Sequence, residues 1–120
     1  MANVNDLYNR SFGQMGSVFN DGTAAITPPS NKVFIAITFL STTTFDSSGG
    51  LKADTANDTR EFIGTEAAAH NLTVASETNV SGGGGQQVDV SNSFPKGLTI
   101  YGRWTEIDPA SGTLIAYIGD

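Results

Sequence analysis

Phe94-Pro-Lys-Gly-Leu-Thr-Ile-Tyr-Gly-Arg-Trp-Thr-Glu-Ile-Asp-Pro-Ala-Ser-Gly-Thr-Leu-Ile-Ala-Tyr-Ile-Gly119 decides the fold. Two runs rich in β-branched and aromatic residues flank Asp108-Pro-Ala-Ser-Gly112. Pro109 presets φ and Gly112 can take a left-handed conformation, so the pattern predicts a β-hairpin closed by a tight turn. Leu98, Ile100, Gly102, Trp104 and Glu106 alternate against Thr99, Tyr101, Arg103, Thr105 and Ile107. On the return strand Thr113, Ile115 and Tyr117 face away from Leu114, Ala116 and Ile118. A loop of about four or about five residues pairs these sets differently, because a one-residue slip turns every side chain over. In either register both strands carry large residues on both faces, which places the hairpin inside the molecule or beneath a partner.

Upstream, Lys32-Val-Phe-Ile-Ala-Ile-Thr-Phe-Leu-Ser-Thr-Thr-Thr-Phe45 reads as a second strand. Val33, Ile35, Ile37 and Phe39 lie on one face, Phe34, Ala36 and Leu40 on the other. A strand apolar on both faces is central, with each side covered by another sheet or another subunit. Asp46-Ser-Ser-Gly-Gly50 ends it as a turn. Residues 51–80 are less regular. Glu66 to His70 has local helix propensity with Thr65 as N-cap, but the segment is too short to persist without packing. Ser81-Gly-Gly-Gly-Gly85 is expected to be a mobile surface loop. Residues 1–31 show no lasting period and end at Pro28-Pro29-Ser30-Asn31. They read as an arm whose aromatics dock on the chain's own domain or on a neighbouring subunit, the plainer reading being a disordered tail. The expected fold is therefore all-β: a single antiparallel β-sandwich or barrel-like domain over 32–120, with at most one short helix and an extended N-terminal arm.

Composition narrows the functions open to such a domain. The chain has 120 residues, no cysteine, 15% charged residues and a formal net charge of −6. One domain of this size buries roughly two-thirds of its unfolded surface and stands without disulfides. Its six cations, Arg10, Lys32, Lys52, Arg60, Lys96 and Arg103, are spread along the sequence instead of clustered, which argues against nucleic acid and anionic membranes as partners. The first residues show no basic or apolar leader pattern, and the apolar run Val33–Leu40 is too short to span a bilayer as a helix. Without secretion, the Asn-x-Ser/Thr sequons at Asn9, Asn57, Asn71 and Asn79 carry no meaning.

Catalytic signatures are missing. His70 is the only histidine, and no Gly-x-Ser-x-Gly elbow accompanies it. A zinc site would have to replace most of its usual ligands. Asp54-x-x-x-Asp58 and Asp46-Ser-Ser-Gly49 have calcium-binding atoms without the alternating spacing of a calcium loop. The glycines at 82–85 precede Gln86 and Gln87, where a phosphate-binding loop needs Lys and Ser or Thr. Glu61, Glu66, Glu77 and Glu106 offer carboxylates for glycoside hydrolysis, but nothing singles out a pair. The expectation is no enzyme, no cofactor and no metal. Trp104, Tyr101 and Tyr117 could form a stacking platform for sugar rings; on alternating strands they serve more often as core or interface anchors. Arg103 is expected to stack on Tyr117 or pair with Glu106 or Asp108.

Phe94 to Thr105, followed by Ser111-Gly-Thr-Leu-Ile-Ala-Tyr-Ile-Gly119, resembles the C-terminal segment of small virion proteins of tailed phages of marine bacteria, the cyanophage type. Val33 to Leu40 and Phe62-Ile-Gly-Thr-Glu-Ala-Ala-Ala-His70 are similar to the earlier part of the same proteins. The similarity spans roughly residues 32–119, and Tyr101-Gly-Arg-Trp-Thr105 is its most specific block. The resemblance implies a virion structural component, a head-decoration (cement) protein on the outer capsid surface, made in the host cytoplasm and partnered by the major capsid protein. A homotrimer follows by analogy with decoration proteins at symmetry axes. Tyr8, Phe12, Phe19, Phe34, Tyr101, Arg103, Trp104 and Tyr117 are the expected interface residues, with the arm reaching the shell or an adjacent copy. The alternatives are a tail- or fibre-associated carbohydrate-binding module or adhesin, and a tail or neck component.

Overall fold

Val33–Phe39 forms β2, and in the computed structural model both of its edges are hydrogen-bonded. The structure describes residues 15–47, 49–54, 62–65 and 88–120. Around β2 stand β1 (Ser17–Asn20), β4 (Leu51–Ala53), β5 (Thr99–Ile107) and β7 (Leu114–Gly119), in the order β1-β7-β2-β5-β4 with every pair antiparallel. A two-stranded sheet of β3 (Thr44–Phe45) and β6 (Pro109–Ser111) completes the fold. The described chain is all-β, as the alternation of its apolar residues implies.

The expected C-terminal hairpin does not form. β5 and β7 both pair antiparallel with β2, one on each side, so they run parallel to each other with a strand between them. A tight turn cannot join parallel strands. The chain from Asp108 to Thr113 instead crosses as an extended segment, and its middle becomes β6, paired to β3. Gly112 does have a positive φ of 103°, but what it serves is a close approach: a Cβ there would lie 2.3 Å from Thr43 Oγ1. The long strand expected over 32–45 also divides. β2 ends at Phe39, and Thr43 bridges Phe94 as the chain leaves for the second sheet.

Irregularities in the ladders decide which residues point inward. A bulge between Phe34 and Ala36 shifts β2 against both neighbours. Phe34, Ile37 and Phe39 therefore share the core side, in place of Val33, Ile35, Ile37 and Phe39. β5 keeps its alternation through Trp104. A shift opposite Lys52 and Ala53 then brings Ile107 to the face of Trp104. β7 is regular, with Leu114, Ala116 and Ile118 inward as expected.

Trp104, Phe34, Ile37, Phe39, Phe45, Leu51, Ile107 and Leu114 are fully buried. The two-stranded sheet closes one end of this core through Phe45, which meets Phe39 and Phe94 in a three-ring cluster. Phe39 and Phe94 stack at 5.1 Å, and Phe45 stands edge-on to both. The Trp104 indole donates to the Ile63 carbonyl at 2.8 Å, which satisfies its one polar atom. It lies over Gly102, two residues back on the same face of β5.

The domain begins earlier than residue 32. β1 pairs with β7, Ile26 bridges Ile107 on both backbone groups, and Met15, Val18 and Ile26 pack on the core. The described part of the expected arm is thus docked on its own domain. Pro29 and Lys32 then close a turn, with Asn31 left-handed at φ 64°, and the chain enters β2. Residues 1–14, the helix expected near Glu66–His70 and the glycine run at 82–85 lie outside the described residues.

A methyl group at position 102 would lie 2.7 Å from Trp104 Cζ2. Gly102→Ala is therefore expected to push the indole off its site and destabilise the fold by about 1–3 kcal/mol. The midpoint of urea unfolding should fall while the slope stays unchanged.

Candidate functional site: the outer face of the large sheet

The five-stranded sheet has one face in the core. The other face is built by the remaining residues of the same strands, and the registers arrange them in rows. One row runs Phe19–Ile115–Thr38–Thr99 across β1, β7, β2 and β5; the next runs Ser17–Tyr117–Ala36–Tyr101. The Thr38 and Thr99 hydroxyls hydrogen-bond each other at 2.8 Å, which removes polarity from the middle of the face. Beyond them Ile35 packs where Gly119 has no side chain: a Cβ on Gly119 would lie 2.8 Å from Ile35 Cγ2. The result is an apolar strip of Phe19, Ile115, Tyr117, Ile35 and Ala36 with Tyr101 beside it. Phe19 is 60% and Tyr101 75% exposed.

Charge is confined to one end of this face, and there it is paired. Lys32 Nζ lies 2.8 Å from Asp120 Oδ1, and Lys52 Nζ lies 3.4 Å from Glu106 Oε2. Arg103 donates through Nε and Nη2 to Asp54 Oδ2, at 3.4 and 3.2 Å, and through Nη1 to the Asp120 carbonyl at 2.6 Å. The Asp54 carboxylate is fully buried. The expected partners of Arg103 were Tyr117, Glu106 or Asp108. They are replaced because β4, not β7, lies beside β5 at this end. An open cleft of about 330 Å³ lined by Asn31, Lys32, Val33, Arg103 and Thr105 adjoins the pairs.

The six expected interface residues that are described separate into three groups. Phe19, Tyr101 and Tyr117 are together on the outer face. Phe34 and Trp104 are fully buried in the core and cannot touch a partner or a sugar ring in this fold. A β-bulge turned Phe34 inward, and Trp104 shares its face with the core residues of β5. Arg103 anchors Asp54 at the margin. Tyr8 and Phe12 lie outside the described residues, as do Asp58, Glu61, Glu66, His70 and Glu77. The residues that sequence reasoning missed are Ile115, Ile35 and Ala36. Their membership needs the strand order, although their alternation with the core residues was visible.

Among the described residues no group of three or more potential metal-ligating side chains converges. Asp54 of the calcium candidates is held by Arg103. Asp46 and Asp108 lie near the β3–β4 turn, where Asp108 N–H donates to the Gly50 carbonyl at 2.6 Å. Desolvation raises the Asp108 carboxyl above the ordinary carboxylate value, and the charges of Asp46 and Glu106 push it the same way.

A scan of protein-family models, a search of curated proteins and a search of solved structures return no match to this chain.

Two outcomes follow from the charged groups. Arg103→Ala takes the guanidinium from a buried carboxylate and is expected to cost about 2–4 kcal/mol in urea unfolding, more than a surface ion pair would. Because the folded-state pKa of Asp108 is raised, its ionisation opposes folding above that pKa, and the opposition fades as the pH falls to the unfolded-state value. Asp108→Asn should therefore raise the melting temperature at neutral pH, and the gain should shrink toward about pH 3, below the ordinary carboxylate range.

Proposed function

We propose that this chain is a structural protein of a phage particle, a decoration (cement) protein that binds the outside of the head and grips the shell with the outer face of its large sheet. One observation carries the reading: the exposed rings of Phe19 and Tyr101, with half-buried Ile35, Ile115 and Tyr117 and buried Ala36 between them, form an apolar face over which no other described element is layered. A large exposed apolar patch marks an interaction site. Covering the Phe19 and Tyr101 rings alone contributes on the order of 5 kcal/mol before the costs of association. Repeated over many copies, contacts of that size stabilise a shell without chemistry. The resemblance over residues 32–119 supports the same class. The net charge of −6 suits an external position, because a subunit inside the head would face packaged DNA.

A carbohydrate-binding reading loses Trp104 to the core. It keeps Tyr101 and Tyr117, which flank Ala36 in one row of the face.

Co-sedimentation of the purified protein with emptied, undecorated phage heads across a range of salt tests the reading. Binding is expected to saturate and to survive high salt, because the face is apolar and its charges are internally paired. Tyr101→Asp should weaken binding at least about tenfold while leaving the melting temperature nearly unchanged, since its ring is exposed. Binding to tails and not to heads would move the protein to the tail or neck. Glycan binding lost in Tyr101→Ala would move it to the adhesin class.

A further inference from the structure

The two edges of the large sheet differ. At β4, Leu51 N–H donates to Thr65 Oγ1 and the Leu51 carbonyl accepts from Thr65 N–H, both at 2.8 Å, so Thr65 covers that edge at Leu51. β1 is the other edge, and among the described residues it pairs with β7 alone. The Ile118 N–H bond to the Gly16 carbonyl fixes the phase of that ladder. Gly16, Val18 and Asn20 turn their backbone groups toward β7, and Ser17 and Phe19 turn theirs out of the sheet. Exposed edges are normally guarded by a charge, a proline or a bulge, or by shortness, the one guard that this four-residue strand has. Ser17-Val-Phe-Asn20 contains no charge and no proline, and its register with β7 is unbroken.

We propose that this edge pairs with the same edge of a second copy, antiparallel about a two-fold axis through Val18, joining the two large sheets into one. The outward groups of Ser17 then meet those of Phe19 in the other copy, and the reverse, giving four backbone hydrogen bonds around a non-hydrogen-bonded Val18–Val18 pair. The sequence is complementary to itself in this register. Asn20 falls opposite Gly16 and Asp21 opposite Met15, so no like charges face each other despite the net charge of −6. Side chains opposite each other in an antiparallel pair share a face. Phe19 of one copy therefore lies on the outer face over the small Ser17 of the other, whose own neighbour across β7 is Tyr117. The apolar strip continues through the axis, and the exposed Phe19 ring gains a cover. An isologous contact of this kind closes at two copies. It shares Phe19 with the head-binding reading but rests on the β1 edge and does not require that reading.

The chain has no cysteine, so single cysteines report cleanly. In the proposed register the two Val18 Cα atoms are about 4.5 Å apart, within the range a disulfide spans. Purified wild-type protein is expected to be dimeric by light scattering. Val18→Cys should oxidise to a covalent dimer at least about tenfold faster than Val90→Cys, an exposed site away from β1. Phe19→Pro removes only an outward N–H and should give a folded monomer. Phe19→Lys, which leaves the backbone intact, should raise the dimer dissociation constant at least about tenfold. A wild-type monomer or trimer, cross-linking of Val18→Cys no faster than of Val90→Cys, or a dimer unaffected by Phe19→Lys would each overturn the pairing. A monomer that still binds heads would overturn it while leaving the proposed function in place.

Discussion

Both edges of β2 are hydrogen-bonded, and the architecture descends from that constraint. A strand that gives one edge to β5 and the other to β7 keeps those two from pairing, though they are neighbours in sequence. It also forces them parallel, so the chain between them must travel back across the molecule. Six residues are too few for a helical crossover, and the segment crosses extended. Its backbone groups then need partners, and β3 supplies them. The second layer, the burial of Phe45 and the three-ring cluster with Phe39 and Phe94 all follow from that return.

The same constraint sorts the aromatic residues by role. The bulge in β2 and the shift at the end of β5 gather Phe34, Trp104 and Ile107 on one side of the sheet. Trp104 fits because Gly102 beneath it has no side chain and because the Ile63 carbonyl takes its N–H. The other side keeps Tyr101, Tyr117 and Phe19, with no second layer among the described residues. Gly119 makes the counterpart adjustment there, admitting Ile35 and flattening the strip. Core and outer face are therefore two consequences of one set of registers.

Charge plays a supporting part. Lys32, Lys52 and Arg103 each stand against an acid at one end of the outer face, so an acidic chain presents a sheet surface whose charges are balanced locally. A partner meeting that surface gains apolar burial with little electrostatic opposition. The acidic excess is elsewhere, in part near Asp46 and Asp108, where like charges and desolvation hold the Asp108 carboxyl above its usual range.

The linear chain was enough to establish the all-β class, the central position of Val33–Phe39, the alternation of Leu114, Ala116 and Ile118 against Ile115 and Tyr117, and the turn at Asp46–Gly50. Each rests on interactions between residues close in the chain or on a period of two, which a linear reading registers. Only the tertiary structure decided that β2 separates β5 from β7. Only there do Phe34 and Trp104 turn inward, and only there does Arg103 meet Asp54. Two features misled a local reading. Asp108-Pro-Ala-Ser-Gly112 has the chemistry of a hairpin turn, yet an intervening strand from distant sequence captured both edges it would have joined. A bulge reverses the faces of a strand by one inserted residue, and Val33 to Phe39, apolar at six of its seven positions, has no polar phase to show where the reversal falls.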